Sequence, residues 1–213
     1  MKSVRIVFSK TGRAKYVSHL DLVRAMTRAV RRADIPLWYT EGFNRHPYLT
    51  FAAPLSLGYE GMRETMDIRM EEDFPFDELV KRLNAVLPEG LVAISAADVV
   101  AKAGDLAASE YRLTIYLPTA VVNQALSADE LLVEKRTKKK TMKTIDILPY
   151  FKDAVVEAAG ENCTVVTVSL PSGGAENVNP GLFITALQGI IGEEVKAEVL
   201  RLRLLLANGS EFL

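Results

Sequence analysis

The sequence predicts an α+β protein made of two tandem ferredoxin-like (split βαβ) sandwiches with mainly antiparallel sheets. Three observations predict it. The first half runs strand, helix, strand, strand, helix, strand, the order of a split βαβ unit. An alanine-rich stretch around Gly104 then breaks the pattern, and a similar order follows it. The length, 213 residues, suits two domains of roughly 100 residues each. The implied boundaries are a basic domain over 1–98, a linker over 99–109, and a second α+β domain with a basic hairpin over 110–213.

The first half supplies the clearer elements. Val4–Phe8 alternates as a strand does, and a turn follows at Thr11-Gly12. Ser18 opens a helix, with Asp21 three residues later in a variant of the capping box. At helical spacing Leu22, Val23, Met26, Ala29, Val30 and Ala33 share one side, and Arg24, Arg28, Arg31 and Arg32 share the other. Pro36 stops this helix, Leu37–Thr40 reads as a short strand, and Tyr48–Leu57 reads as the next. Thr65–Met70 pairs beyond the Gly58/Gly61 turn. Phe76–Leu87 is a second amphipathic helix, and Leu91–Ala96 a last strand.

In the second half Tyr111–Leu117 is a strand and Thr119–Ala128 a short helix. Leu132–Ile147 is a basic hairpin, and Tyr150–Glu157 pairs with Thr164–Leu170. Pro180 sits at the first turn of a helix that reaches about Ile191, and Val195–Leu206 ends the pattern as a strand.

Charge is polarised along the chain. Residues 1–58 carry ten Lys/Arg against three Asp/Glu, a formal +7, and the remaining 155 carry 16 against 24, a formal −8. A basic segment of this density draws polyanions, nucleic acid above all. Cys163 is the single cysteine, so this chain alone builds no internal disulfide and no cysteine-ligated zinc or iron–sulfur site. With two histidines, a histidine-rich metal site is not expected either, and no cofactor is predicted. Apolar runs fall short of the ~18–20 residues of a membrane span, and the start MKSVRIVFSKTG lacks the apolar core of a secretory signal. Cytoplasmic residence is the expectation.

The chemistry-bearing residues cluster between Lys10 and Gly58. Four guanidiniums along one helix face make a planar donor array suited to phosphates, although a solvated face is the bland alternative. Lys10, Arg13, Lys15 and Arg45 lie in adjoining loops, with Tyr16, Asp21, Phe43 and Asn44 among them. The candidate binding set is therefore Lys10, Arg13, Lys15, Tyr16, Asp21, Arg24, Arg28, Arg31, Phe43, Asn44 and Arg45. His19, at the helix start, and His46, in the loop Gly42–Pro47, are catalytic candidates together with Lys10, provided they converge on one basic pocket. Lys135–Lys143 holds six basic residues in nine within an otherwise acidic half. No phosphate-binding loop, dinucleotide fingerprint, nucleophile elbow or metalloprotease helix is found.

Lys10-Thr11-Gly12, Tyr16–Leu22, Arg24, Arg31-Arg32-Ala33, Gly42-Phe43-Asn44, His46-Pro47 and Phe51–Leu55 together resemble the bacterial radical-SAM-linked protein family. This is a domain of unknown function, standalone or fused to the C-terminus of cobalamin-type radical SAM proteins. Thr137–Lys139, Ile145–Ile147 and Pro180 extend the similarity. Arg45 stands where the family has a proline, and Asn179 where it has an arginine. The resemblance implies a radical SAM protein as partner. One cysteine means that this chain is not itself the radical enzyme.

Three functions compete on these grounds. The first is an accessory substrate-recognition module for a radical SAM enzyme, binding RNA (tRNA or rRNA) through a basic face, and more a binder than an enzyme. The second is a metal-free RNA-processing endonuclease that uses His19 or His46 as base. The third is a protein-interaction scaffold held by opposite charges.

Overall fold

The computed structural model describes residues 2–136, 142–174 and 176–213, and divides into two compact units, Met1–Ala107 with Arg201–Leu213, and Ala108–Leu200. The chain leaves the first unit after Ala107 and returns to it at Arg201.

In the first unit the order is β1 (Lys2–Lys10), α1 (His19–Arg32), β2 (Leu49–Phe51), β3 (Glu60–Met70), α2 (Phe76–Asn84) and β4 (Leu91–Asp98). Its strands lie in the order β4-β1-β3-β2, all antiparallel, which is the split βαβ arrangement. Alternation along the strands sends Val4, Ile6 and Phe8 of β1, and Met66, Ile68 and Met70 of β3, to one sheet face. There they pack against Leu22, Met26, Ala29 and Val30 of α1 and Leu79 and Leu83 of α2. Burying each of these side chains larger than alanine stabilises the unit by roughly 1.5–3 kcal/mol. Ser18 caps α1 by accepting from the Asp21 amide at 3.2 Å, and its hydroxyl donates to the Asp21 carboxylate at 2.7 Å. Asp34, with φ 51°, turns the chain out of α1 ahead of Pro36.

Two expected strands are shorter than the sequence suggests. Leu37–Thr40 forms only isolated bridges, Leu37 to Met70 and Tyr39 to Pro47, so 40–46 becomes a hairpin tip. The second strand holds three residues, Leu49–Phe51, and ends before Pro54, which has no N–H to offer a ladder.

The opposite face of this sheet is built differently. Arg5 donates from Nε and Nη2 to the Asp67 carboxylate at 2.7 and 2.8 Å, and from Nη2 to the Ala101 carbonyl at 2.8 Å. The Phe212 ring covers its guanidinium at 3.9 Å. On the face that carries Phe8, Glu64 joins Arg201 in a second internal pair: Arg201 Nε donates to Oε1 at 2.9 Å and Nη2 to Oε2. Arg201 Nη2 also donates to the Ala53 carbonyl at 2.7 Å.

The order repeats with β5 (Leu106–Ile115), α3 (Thr119–Leu126), β8 (Val155–Gly160), β9 (Cys163–Pro171), α4 (Gly181–Ile191) and β10 (Ala197–Leu206), arranged β10-β5-β9-β8; the second unit takes these strands from Ala108 to Leu200. Between α3 and β8 it inserts the hairpin β6 (Leu132–Arg136) and β7 (Met142–Asp146), paired from Leu132–Asp146 to Arg136–Met142. The expected hairpin is thus present. The Thr137–Thr141 part of its basic run lies outside the described residues. Phe151 and Phe183 stack at 4.6 Å, and both are buried, as are Leu113, Val122, Val166 and Leu187. β5 starts at Leu106, inside the stretch read as linker. The mixed α+β class with mostly antiparallel strands is the one the sequence predicts. Among the described residues no helix is long and apolar enough to cross a membrane, and no group of His, Cys, Asp or Glu is placed to hold a metal ion.

Candidate nucleic-acid interface

Helix α1 presents its arginines as its periodicity requires. With Leu22, Met26, Ala29 and Val30 buried, Arg24, Arg28, Arg31 and Arg32 are all exposed. Arg24 pairs with Asp21 at 2.9 Å one turn back. The Ser18 hydroxyl first, and Arg24 second, hold the Asp21 carboxyl below its ordinary range. Arg31 lies over the Tyr39 ring at 5.7 Å. Arg32 Nη2 donates to the Val86 carbonyl at 2.7 Å, tying α1 to the end of α2. Arg28 has no hydrogen bond or ion pair among the described residues.

Three of these arginines border a groove of about 550 Å³ lined by Ala25, Arg28, Arg31, Arg32, Val86 and Pro88. The floor is apolar, the rim carries three guanidiniums, and no carboxylate is among the lining residues. Such a groove suits an anion that has a flat or apolar body. Val86 and Pro88 gave no signal in the sequence, because only the packing of α2 beside α1 brings them here.

The other candidates are dispersed. Lys10 is not a surface cation: it is 1% exposed, with Nζ donating to the Lys15 carbonyl at 3.2 Å. Burial pushes its pKa down, opposed by the neighbouring Glu64 and reinforced by Arg201. The Thr11-Gly12 loop around it is tied by the Thr11 amide to the Gly90 carbonyl and by the Gly12 amide to Glu60 Oε1, both at 2.8 Å. Arg13 and Tyr16 are exposed, and Lys15 lies over the Tyr16 ring at 5.5 Å. Phe43, Asn44 and Arg45 stand exposed at the hairpin tip.

The histidines sit at different levels of the sheet. His19 is half-buried, its ring edge-to-face with Phe51 at 5.3 Å, and Phe51 lies opposite Met66. His46 is exposed in the tip that leaves the sheet beside Met70. Its Nδ1 lies 3.1 Å from both Thr40 Oγ1 and the Asn44 carbonyl. Each imidazole thus has local partners, and none of these is shared.

The family model of an uncharacterized protein conserved in bacteria (DUF2344) matches residues 3–180. No curated protein matches the sequence. Among solved structures, a chain of the crystal structure of a Cbf5-Nop10-Gar1 complex is similar, with a TM-score of 0.53 at 13% identity. That likeness covers 94% of this chain and 48% of the other, so the present chain spans about half the length of its structural neighbour. At this identity the likeness is one of fold.

Proposed function

The chain belongs to this bacterial family, DUF2344, and we propose that it is an RNA-binding accessory module that delivers or holds the substrate of a radical SAM enzyme in the cytoplasm. The observation that carries the RNA reading is the α1 groove. Three exposed guanidiniums border an apolar floor with no carboxylate among its lining residues. Arginine forks match phosphate oxygens, and an apolar floor accepts the ribose or base between two phosphates. The radical SAM partner rests on the resemblance carried by Tyr16–Leu22 and Gly42–Pro47. Cleavage has less support. Lys10 is buried and the two imidazoles have separate partners, so the three catalytic candidates do not share one pocket.

Binding of bulk tRNA to the purified full chain, followed by electrophoretic mobility shift, tests the RNA reading. Arg24→Glu with Arg28→Glu is expected to weaken binding by on the order of tenfold or more while leaving the melting curve in place. Unchanged affinity in this variant removes the α1 face from the function.

A further inference from the structure

The sheet of the first unit is covered on one face by α1 and α2. On its second face Phe212 and Ala101 cover Arg5, and the neighbouring pair Val7 and Thr65 is buried as well. Beyond that point the face is open. Arg69 emerges from β3 next to Asp67, with exposed Ser3 opposite it on β1 and exposed Thr50 on β2 opposite Asp67. The Arg69 guanidinium lies over the Tyr48 ring at 4.1 Å and the Trp38 ring at 5.4 Å. The two rings meet edge to face at 6.3 Å. All three side chains are half-buried.

What is unusual is how Arg69 is satisfied. The carboxylate next to it on this face, Asp67, is spent on Arg5. Among the described residues Arg69 makes no ion pair and no side-chain hydrogen bond, so two aromatic faces alone hold its charge. Cation–π contacts fix the plane of the guanidinium but leave its N–H edge unused. A fixed, unspent donor edge beside two aromatic rings matches one chemistry: a phosphate on the edge and a flat ring on the aromatics.

We infer that Trp38, Tyr48 and Arg69 form a stacking subsite for an unpaired nucleotide, which makes single-stranded rather than duplex RNA the substrate class of this module. The inference rests on the RNA reading above and deepens it. A base inside a duplex is stacked on its neighbours and keeps its faces from the rings, whereas an unpaired base offers them. The positive excess of residues 1–58 favours RNA over an uncharged aromatic-binding partner such as a proline-rich peptide.

Trp38 is the only tryptophan of the protein, so its emission reports the subsite directly. The experiment titrates the full chain with an eight-nucleotide oligouridylate, an oligoadenylate of equal length, a blunt RNA duplex and a proline-rich peptide. Anisotropy and Trp38 emission are read together. The single strands are expected to quench Trp38 saturably, and Arg69→Gln and Tyr48→Leu to lower their affinity on the order of tenfold. Melting curves of both variants serve as a check on folding, and Arg69→Gln alone decides the case if Tyr48→Leu is destabilised. Single-strand binding with unchanged Trp38 emission and unchanged Arg69→Gln affinity overturns the subsite while sparing the α1 face. Duplex binding as tight as single-strand binding, or quenching by the peptide in competition with RNA, also overturns the inference. Absence of any RNA binding overturns the functional reading itself.

Discussion

The first unit uses the same cationic residues in two opposite ways. Arg5, Lys10 and Arg201 are 1%, 1% and 2% exposed, and each is held by partners inside the unit. Arg24, Arg28, Arg31 and Arg32, all on one helix face, are exposed, and only Arg24 has a carboxylate partner among the described residues. The internal cations hold strands together and place a turn; the external ones make a surface field. A formal charge taken from the sequence counts both kinds alike. Removing Arg5 and Lys10 from the ten cations of residues 1–58 leaves eight against three acids, and that is the charge a ligand meets.

The difference can be broken first from the inside. Arg201→Ala leaves Glu64 buried and unpaired, which costs about 3–5 kcal/mol and is read from the urea midpoint. A loss below about 1 kcal/mol shows the pair to be a surface pair in solution. Next comes the loop that holds Lys10. Gly90 has φ 85°, and a Cβ there would lie 2.5 Å from the Thr11 carbonyl oxygen, so Gly90→Ala is expected to cost about 1–3 kcal/mol. An unchanged melting temperature shows that the loop yields.

The smallest effect is a pH slope. Because burial lowers the Lys10 pKa in the folded state, the folded chain binds fewer protons than the unfolded one between that lowered value and 10.5. Stability contributed by this group therefore rises with pH across that window. Relative to Lys10→Met, the wild type is expected to gain stability as the pH rises toward 10.5. A difference that stays flat places the ammonium in water.

Local pattern made the helices and the repeated order legible. The spacing of Leu22, Met26, Ala29 and Val30 leaves no other inward face for α1, and Ser18 marks its start. The same reasoning could not separate the two classes of cation. In a strand, Arg5 alternates with Val4 and Ile6 onto a face that reads as solvent, and Ala101 and Phe212, both distant in sequence, cover it. Lys10 follows a register shift between Phe8 and Lys10, which no composition signal announces. Trp38 and Tyr39 do take opposite faces, as alternation requires, with Tyr39 against the core and Trp38 against Arg69. The partner of Trp38 became visible only once β3 was seen beside it. The groove was half legible for the same reason: α1 supplies its rim from one heptad-like stripe, whereas Val86 and Pro88 come from the turn after α2, more than fifty residues on.

The central claim is that the external arginines, and not the summed charge of the segment, bind RNA. Its most direct test is the salt dependence of RNA affinity for the wild type beside Arg28→Glu with Arg31→Glu. If these residues contact phosphates, the logarithm of affinity falls linearly with the logarithm of salt, and the variant shows a slope shallower by about two, weaker binding and an unchanged melting temperature. Equal slopes and equal affinities for the two proteins would contradict the account.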